Sequence, residues 1–310
     1  MEYRSLGRTS LKVSKLGFGA SPLGNVFGRT DTAETDRAVH SAIDQGINFF
    51  DVSPYYGVTL AEERLGGALL GRREQVVLAT KCGRYGDKEF DFSRSRIRQE
   101  FEESLRRLKT DHVDLLQAHD IEFGSFDQII SETIPAMREL QAEGKVRFIG
   151  ITGYPLKMLM EVARLSPVDT ILSYCRYNLM TTEMDKILTP FVEQQGIGLI
   201  NASPLAMGML TQQGVPDWHP ASSATQEAAR RAVRLCTERG VDISTLALQF
   251  CLAHPYVSTT LVGMATVHEV ETNLHALTSP LDRDLIQSIR KEIGDSYNSS
   301  WSSGKPENQD

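Results

Sequence analysis

Four residues of unlike chemistry stand in order along this chain: Asp51, Tyr56, Lys81 and His119. Together they could move a proton onto or off a reacting oxygen. A lysine withdrawn from water needs a counter-charge, and Asp51 can provide it. An ammonium beside the Tyr56 phenol favours phenolate and lowers a pKa that starts near ~10. Tyr56 then becomes a proton donor or acceptor usable near neutral pH. His119 can hydrogen-bond the reacting oxygen and orient it. No side-chain nucleophile accompanies them. The missing part is a hydride carrier, which no side chain can be. Taken singly, each residue has an ordinary reading: a loop-capping carboxylate, a buried aromatic, a surface lysine, a hydrogen-bonded core histidine. Their joint placement overrides those readings.

That placement comes from short apolar runs. Asp51 follows Ile47–Phe50, and Tyr56 lies in the loop beyond it. Lys81 follows Val76–Thr80, and His119 follows Val113–Ala118. Leu16–Ala20, Phe148–Ile151, Thr170–Ser173, Gly198–Ala202 and Thr259–Val262 read as further strands, which makes eight. Several are continuously apolar, as strands covered on both faces should be.

Helical periodicity fills the intervals at Thr35–Asp44, Ala61–Leu70, Arg94–Arg107, Ile129–Glu143, Leu156–Leu165, Glu183–Gln194, Gln226–Arg239 and Val267–Leu277. Ser93 suits the N-cap of the third, and Pro135 suits a kink in the fourth. Strands alternating with helices predict a parallel sheet. With no chain left for a second domain, the economical closure is a single (β/α)8 TIM barrel spanning residues 1–310. Reactive groups should then gather at the C-terminal ends of its strands. A doubly wound sheet would need a glycine-rich turn after the first strand. Gly17-Phe18-Gly19-Ala20-Ser21-Pro22 does not supply GxGxxG there.

Outside the repeat, Tyr3–Leu6 and Lys12–Ser14 read as an N-terminal β-hairpin plugging the barrel's bottom. Ser244–Ala253 and Asp282–Ile293 read as extra C-terminal helices. Residues 205–225 form the longest stretch without strand signal, a loop of functional length. Residues 296–310, rich in Ser, Asn and Gly, are expected to fray as a flexible tail, with Trp301 able to fold back over a site as the alternative.

Composition removes several alternatives. Hydrophobic residues are 41% and charged residues 24% of the 310, which argues against wholesale disorder. A net charge of −7 leaves no basic excess for nucleic acid. Cys82, Cys175, Cys236 and Cys251 are too sparse for a disulfide scaffold and form no CxxC or metal-ligand spacing. The N-terminus lacks a signal peptide's apolar core, and no apolar run approaches ~20 residues. The expectation is a soluble, cytoplasmic protein with no membrane or metal partner, a monomer or weak homo-oligomer acting on a small molecule.

At the four residues the sequence resembles the aldo-keto reductase family. Asp51-Val52-Ser53-Pro54-Tyr55-Tyr56-Gly57 is similar to that family's Asp-Thr-Ala-x-x-Tyr-Gly motif. Ala79-Thr80-Lys81 is similar to its lysine strand, and Asp114-Leu115-Leu116-Gln117-Ala118-His119 to its histidine strand. The likeness runs from about Tyr3 to Leu277. Within the family, Gly17 to Gly24, Lys81 to Tyr85, His119 to Ser125, Ile149 to Gly153, Ala202 to Gly208 and Pro216 to Ser222 resemble the plant-type L-galactose dehydrogenases. The D-threo-aldose (L-fucose) 1-dehydrogenases are close relatives of that group. The resemblance implies oxidation of an aldose at its anomeric carbon to the lactone, with NAD as acceptor. The rival implications are an NADPH-linked general aldehyde reductase, or a cofactor-sensing subunit with slow turnover like the β subunits of potassium channels.

The resemblance also implies a cofactor site. Thr152, with Ser173 nearby, stands where the carboxamide is held, Gly153 replacing the usual Asn. Ser203, Leu205, Gly208 and Leu210 match the loop that wraps the pyrophosphate. Gly263, Met264, Thr266, Glu269 and Asn273 match the stretch at the adenosine end. Ala202 stands where many members have an aromatic residue that stacks on the nicotinamide. Glu269 replaces an Arg common in NADP-dependent members. A carboxylate there accepts from a ribose 2′-hydroxyl and repels a 2′-phosphate, so NAD is expected over NADP. Tyr55, Tyr85, Asp120 and Trp218 are the main candidates for substrate contact, with Tyr154, Arg176 and Trp301 beside them. Cys82 borders Lys81 but reads as a small buried hydrophobe.

Overall fold

Alternation along the strands sorts this chain into two buried layers. In the strand Val77–Cys82, Val77 and Ala79 point into the barrel, while Leu78 and Cys82 join the layer outside it. A strand buried on both faces leaves no polar edge pattern, which is why these runs read as continuously apolar.

The computed structural model describes residues 1–310. The strands are β1 (Tyr3–Ser5), β2 (Lys12–Ser14), β3 (Leu16–Gly19), β4 (Phe49–Asp51), β5 (Val77–Cys82), β6 (Val113–Ala118), β7 (Val146–Gly153), β8 (Thr170–Tyr174), β9 (Gly198–Ala202) and β10 (Thr259–Gly263). β3 to β10 pair in sequence order, all parallel, and β10 closes back on β3. The fold is therefore the expected (β/α)8 barrel. No helix is long and apolar enough to cross a membrane.

The antiparallel hairpin β1–β2 stoppers the N-terminal end. Leu6, Leu11 and Val13 pack with the barrel-interior residues Phe49, Val77, Leu115, Leu172, Ile200 and Leu261. Gly7, at φ +54°, makes the hairpin turn against the start of β9, where a Cβ would lie 2.2 Å from the Gly198 nitrogen. Only glycine meets both demands. Arg4 ties the hairpin to the far end of the chain by donating to the carbonyls of His254 and Val257 at 2.7 Å each.

The helices Thr32–Asp44, Leu60–Ala68, Arg94–Leu108, Ile134–Ala142, Leu156–Leu165, Ser223–Glu238, Ile243–Leu252, Val267–Thr278 and Arg283–Ile293 pack their apolar faces on the outside of the barrel. Ser93 caps the third of these through the Arg96 amide. Two expected helices are interrupted, each at a proline that lacks an N–H. Ile129–Glu143 becomes a π-helical turn, Ile129–Thr133, followed by Ile134–Ala142 with Pro135 in its first turn. Glu183–Gln194 divides into Glu183–Ile187 and Thr189–Gln195, the second opening on Pro190.

The expectation that residues 296–310 fray is corrected. Trp301 stacks on Tyr154 with ring centroids 4.6 Å apart. Lys305 N donates to Glu122 O at 2.9 Å, and Asn308 Nδ2 donates to the carbonyls of Glu122 and Gly124 at 2.8 and 2.9 Å. Asp310 accepts from the Leu156 and Lys157 amides, at the start of the helix after β7. The segment lies over the mouth of the barrel at the strands' C-terminal ends.

Candidate active site

Asp51 is the last residue of β4, Lys81 the inward residue near the end of β5, and His119 the residue after β6. All three are buried, with 2–4% exposure. Lys81 Nζ pairs with an Asp51 carboxylate oxygen and donates to Val52 O at 2.9 Å. Gln117, one inward step before His119, donates from Nε2 to the other Asp51 oxygen at 2.8 Å. The ammonium sits 4.8 Å from the centroid of the Tyr56 ring. The Tyr56 ring meets His119 edge-on at 5.8 Å. The four residues converge at one end of the barrel.

The loop that presents Tyr56 is rigid for local reasons. Tyr56 N donates to Ser53 O at 3.1 Å, and Tyr56 O accepts from Ala61 N at 3.2 Å. Gly57 takes φ +65° where a Cβ would come 2.1 Å from Gly24 O. Behind the loop, buried Glu62 accepts from Thr80 Oγ1 at 2.6 Å and from Arg107 Nε at 2.7 Å. This fixes the helix after Tyr56 against β5.

The titration of Tyr56 differs from the sequence expectation. Burial dominates and pushes its pKa up to about 12, against the lowering effect of Lys81. Tyr56 is therefore a neutral phenol at pH 7. Burial likewise disfavours the Lys81 charge, but Asp51 and Tyr56 more than offset it and hold the ammonium. Burial, with Lys81 and Arg84 nearby, lowers the His119 pKa to about 3 against the pull of Asp120. His119 is thus a neutral imidazole that can donate or accept without changing charge.

Asp120 adjoins this group and is held from three sides. Arg84 Nη1 lies 2.5 Å from its Oδ2, His119 Nε2 lies 3.7 Å from the same oxygen, and Asp120 N donates to Thr152 Oγ1 at 2.9 Å. Burial opposes its charge, yet His119 and Arg84 hold its pKa below the ordinary aspartate range; with His119 neutral at pH 7, Arg84 is the cation that keeps it ionised. The Arg84 guanidinium lies 3.7 Å from the centroid of the Tyr55 ring. Arg84 was absent from the sequence candidates, which had Tyr85 instead. Tyr85 turns to the outside, under Arg96 of the helix Arg94–Leu108 at 4.6 Å. Neighbours in an extended segment face opposite ways, so the arginine takes the mouth and the tyrosine the helix layer.

On the other side of the mouth the tops of β3, β9 and β10 carry only small inward residues. Gly19 of β3, Gly263 of β10 and Ala202 of β9 occupy the inward positions at the strand tops. Next comes a loop in which Ser203, Ala206, Met207 and Gly208 all have positive φ, from +48° to +102°. Three non-glycine residues in that region mark a costly backbone, of the kind found where a loop grips a ligand. Leu205 O accepts from the Gly208 and Leu210 amides at 3.1 Å each, which knots the loop. Leu210 and Met264 are buried in the outer core. The bare groove and the knotted loop fit an extended dinucleotide.

At the groove's end begins the helix Val267–Thr278. Glu269 forms a capping box with Thr266, accepting the Ala265 and Thr266 amides at 2.7 and 3.0 Å. Glu34 accepts the Val267 amide at 3.1 Å. Two carboxylates thus occupy donors that would otherwise attract a phosphate. Asn273 lies half-buried further along this helix.

One cofactor candidate, Ser173, faces away from the mouth, and another, Thr152, is already engaged there. Ser173 alternates with Leu172 and Tyr174, which face the barrel interior, so it points with Ile171 toward the helices. Thr152 does line the mouth, but its hydroxyl is engaged with Asp120 as acceptor at 2.9 Å and as donor at 3.4 Å. Tyr174, unnoticed in the sequence, pairs in register with Ala202 and supplies an inward aromatic ring beside it. Trp218 is half-exposed on its loop, 6.4 Å from Phe27 and 6.2 Å from His219. Tyr154, Arg176 and Trp301 belong to the anchorage of the last residues. Arg176 pairs with Asp310 at 2.8 Å and Glu183 at 3.1 Å. Cys82 lies on the outer face of β5, and burial pushes its thiol pKa far up, so it is inert toward the tetrad.

Comparison with known proteins agrees with this arrangement. Residues 15–293 match the model of the aldo/keto reductase family. The chain is 48% identical to the L-galactose dehydrogenase of Arabidopsis thaliana over 99% of both chains. It is 31% identical to the D-arabinose 1-dehydrogenase of Saccharomyces cerevisiae over 95% of both. The holo form of an aldo-keto reductase from Bacillus halodurans superposes with a TM-score of 0.80, at 29% identity over the whole of each chain. The protein belongs to the aldo/keto reductase family and is an oxidoreductase of that family.

Proposed function

We propose that this chain oxidises C1 of an aldopyranose, L-galactose or a related sugar such as L-fucose, to the lactone with NAD. The observation that carries the reading is the buried Lys81 ammonium, clamped by Asp51 and set beside the Tyr56 ring next to a neutral His119. The names of the sugar-oxidising relatives from Arabidopsis and yeast support the substrate class.

In this reading the C1 hydroxyl lies between Tyr56 and His119. Tyr56 Oη takes its proton, and Lys81 stabilises the phenolate state that must exist for this to happen. Asp51 and Gln117 hold Lys81 in place. His119 orients the oxygen without acquiring charge. Bound NAD supplies the hydride acceptor. Gly19, Ala202 and Gly263 would leave room for it, residues 203–210 would hold its pyrophosphate, and Thr266 to Asn273 its adenosine end.

NAD is favoured over NADP because Glu34 and Glu269 place two carboxylates at the helix start and already occupy its amides. A 2′-phosphate would meet charge repulsion and no free donors there. The four free, buried cysteines support a reducing, cytoplasmic setting.

Initial rates with L-galactose, L-fucose, D-arabinose, L-glucose and simple aldehydes, each with NAD and NADP, test the reading. Aldose turnover with NAD is expected. Rates confined to aldehydes and NADPH would replace it with a carbonyl reductase. No turnover with any aldose or aldehyde would favour a cofactor-sensing role.

A further inference from the structure

We infer that Ser53 is a positioning residue that locks His119 in its Nε2–H tautomer. This presents a neutral N–H donor to the reacting oxygen.

The argument is a count of hydrogens. Ser53 is fully buried. Its Oγ accepts from Tyr55 N at 3.1 Å and lies 3.0 Å from His119 Nδ1. The hydroxyl carries one proton, which needs an acceptor inside the protein. The imidazole Nδ1 is the acceptor the structure offers. If Nδ1 carried the proton instead, the Ser53 hydroxyl would receive two donors and leave its own hydrogen buried without a partner. That would cost the desolvation of a polar group. Ser53 therefore donates, Nδ1 accepts, and the ring proton sits on Nε2.

A second contact points the same way. His119 Nε2 lies 3.7 Å from Asp120 Oδ2, too far for a hydrogen bond but close enough for charge to matter. A bare Nε2 lone pair facing that carboxylate would be repelled, whereas an N–H is attracted. Because the gap exceeds bonding distance, the Nε2 proton stays available to a substrate oxygen. The His119 backbone is fixed by its amide donating to Cys82 O at 2.8 Å, and Tyr55 and Tyr56 pack against the ring edge-on. One hydroxyl thereby decides whether the neutral ring offers the substrate a hydrogen or a lone pair.

The proposal rests on the oxygen-orienting role given to His119 above, but its first readout needs no substrate. ¹⁵N NMR of the full-length labelled protein reports the tautomer directly. The wild type should show His119 protonated on Nε2 and bare on Nδ1. Ser53→Ala should give a mixture of tautomers, and kcat for aldose oxidation should fall in proportion to the Nδ1–H fraction, ~2-fold for an even mixture, because rings with the wrong tautomer have no donor to offer. KM for NAD should not change. Ser53→Thr, which retains the hydroxyl, should restore both tautomer and kcat. An Nδ1–H tautomer in the wild type overturns the assignment. An unchanged tautomer in Ser53→Ala overturns the role of Ser53. Failure of every aldose as substrate, with the tautomer as assigned, would refute the sugar reading alone.

Discussion

Glu122 should make this protein lose stability as pH rises through the range where most proteins are at their best. Its side chain is fully buried in the turn after His119, under the last residues of the chain. Oε1 receives three hydrogen bonds: Ser303 Oγ at 2.9 Å, and Tyr154 N and Tyr174 Oη at 3.2 Å each. Oε2 has no partner and lies against Gly153. Burial, reinforced by the Asp120 charge, pushes the carboxyl pKa up from 4.5 to about 8. In the folded protein Glu122 thus retains a proton that the unfolded chain has released. Its contribution is complete below the unfolded value and disappears as pH climbs toward 8. The slope is ~1.4 kcal/mol per pH unit between the two pKa values and flattens near 8, so raising the pH from 6 to 8 costs ~2 kcal/mol.

Glu122→Gln retains an acceptor for the same three donors and removes the ionisation. Urea unfolding of both proteins at pH 6 and pH 9 isolates the effect, since all other groups titrate alike in both. The mutant should lose ~3 kcal/mol less between the two conditions. The protection factor of the Lys305 amide, bonded to Glu122 O, should fall at high pH in the wild type alone. Equal pH dependence in the two proteins would refute the reasoning.

Other expectations follow from the same geometry. The rate of aldose oxidation should rise with pH on the alkaline side, because a phenol with a pKa pushed to about 12 must lose its proton before it can act as base. The kcat/KM profile should show no step near pH 6.5, since His119 is neutral down to about 3. Lys81→Met leaves Asp51 buried without its cation and should cost about 3–5 kcal/mol in denaturant unfolding. It should also lower kcat at least ~100-fold. Glu269→Arg removes one carboxylate, adds a cation and frees two amides at the helix start. The ratio of kcat/KM with NADP to that with NAD should rise at least ~10-fold.

The barrel and the four convergent residues were legible because both are written locally. Each strand is a short apolar run, and each reactive residue sits at or just past the end of one. What stayed hidden depends on partners far away in sequence. Glu122 reads as an ordinary loop carboxylate, and only Ser303 and Asn308, more than 180 positions on, reveal it as an anchor. The same contacts explain why residues 296–310 looked free: their polar side chains have partners, but on β7, β8 and the His119 loop.

The exchange of Tyr85 for Arg84 is a one-residue error of facing, as is Ser173 for Tyr174, because a strand's period of two allows nothing between right and reversed. The titration of Tyr56 was misjudged because adjacency in sequence shows the neighbouring charge and not the depth of burial. Glu269 had its structural signature in plain view, Thr266-x-x-Glu269 being a capping box. Its carboxylate and that of Glu34, accepting the amides of Ala265, Thr266 and Val267, make the same corner unfavourable to phosphate.

The central claim is that Tyr56 exchanges the proton of an anomeric hydroxyl in an NAD-linked sugar oxidation. It is tested most directly by single-turnover formation of lactone from L-galactose and NAD, in the wild type and in Tyr56→Phe. Rapid lactone formation in the wild type and a loss of at least ~1,000-fold in the variant, with NAD affinity unchanged, is the result the account predicts. A Tyr56→Phe protein that retains most of its rate would contradict it.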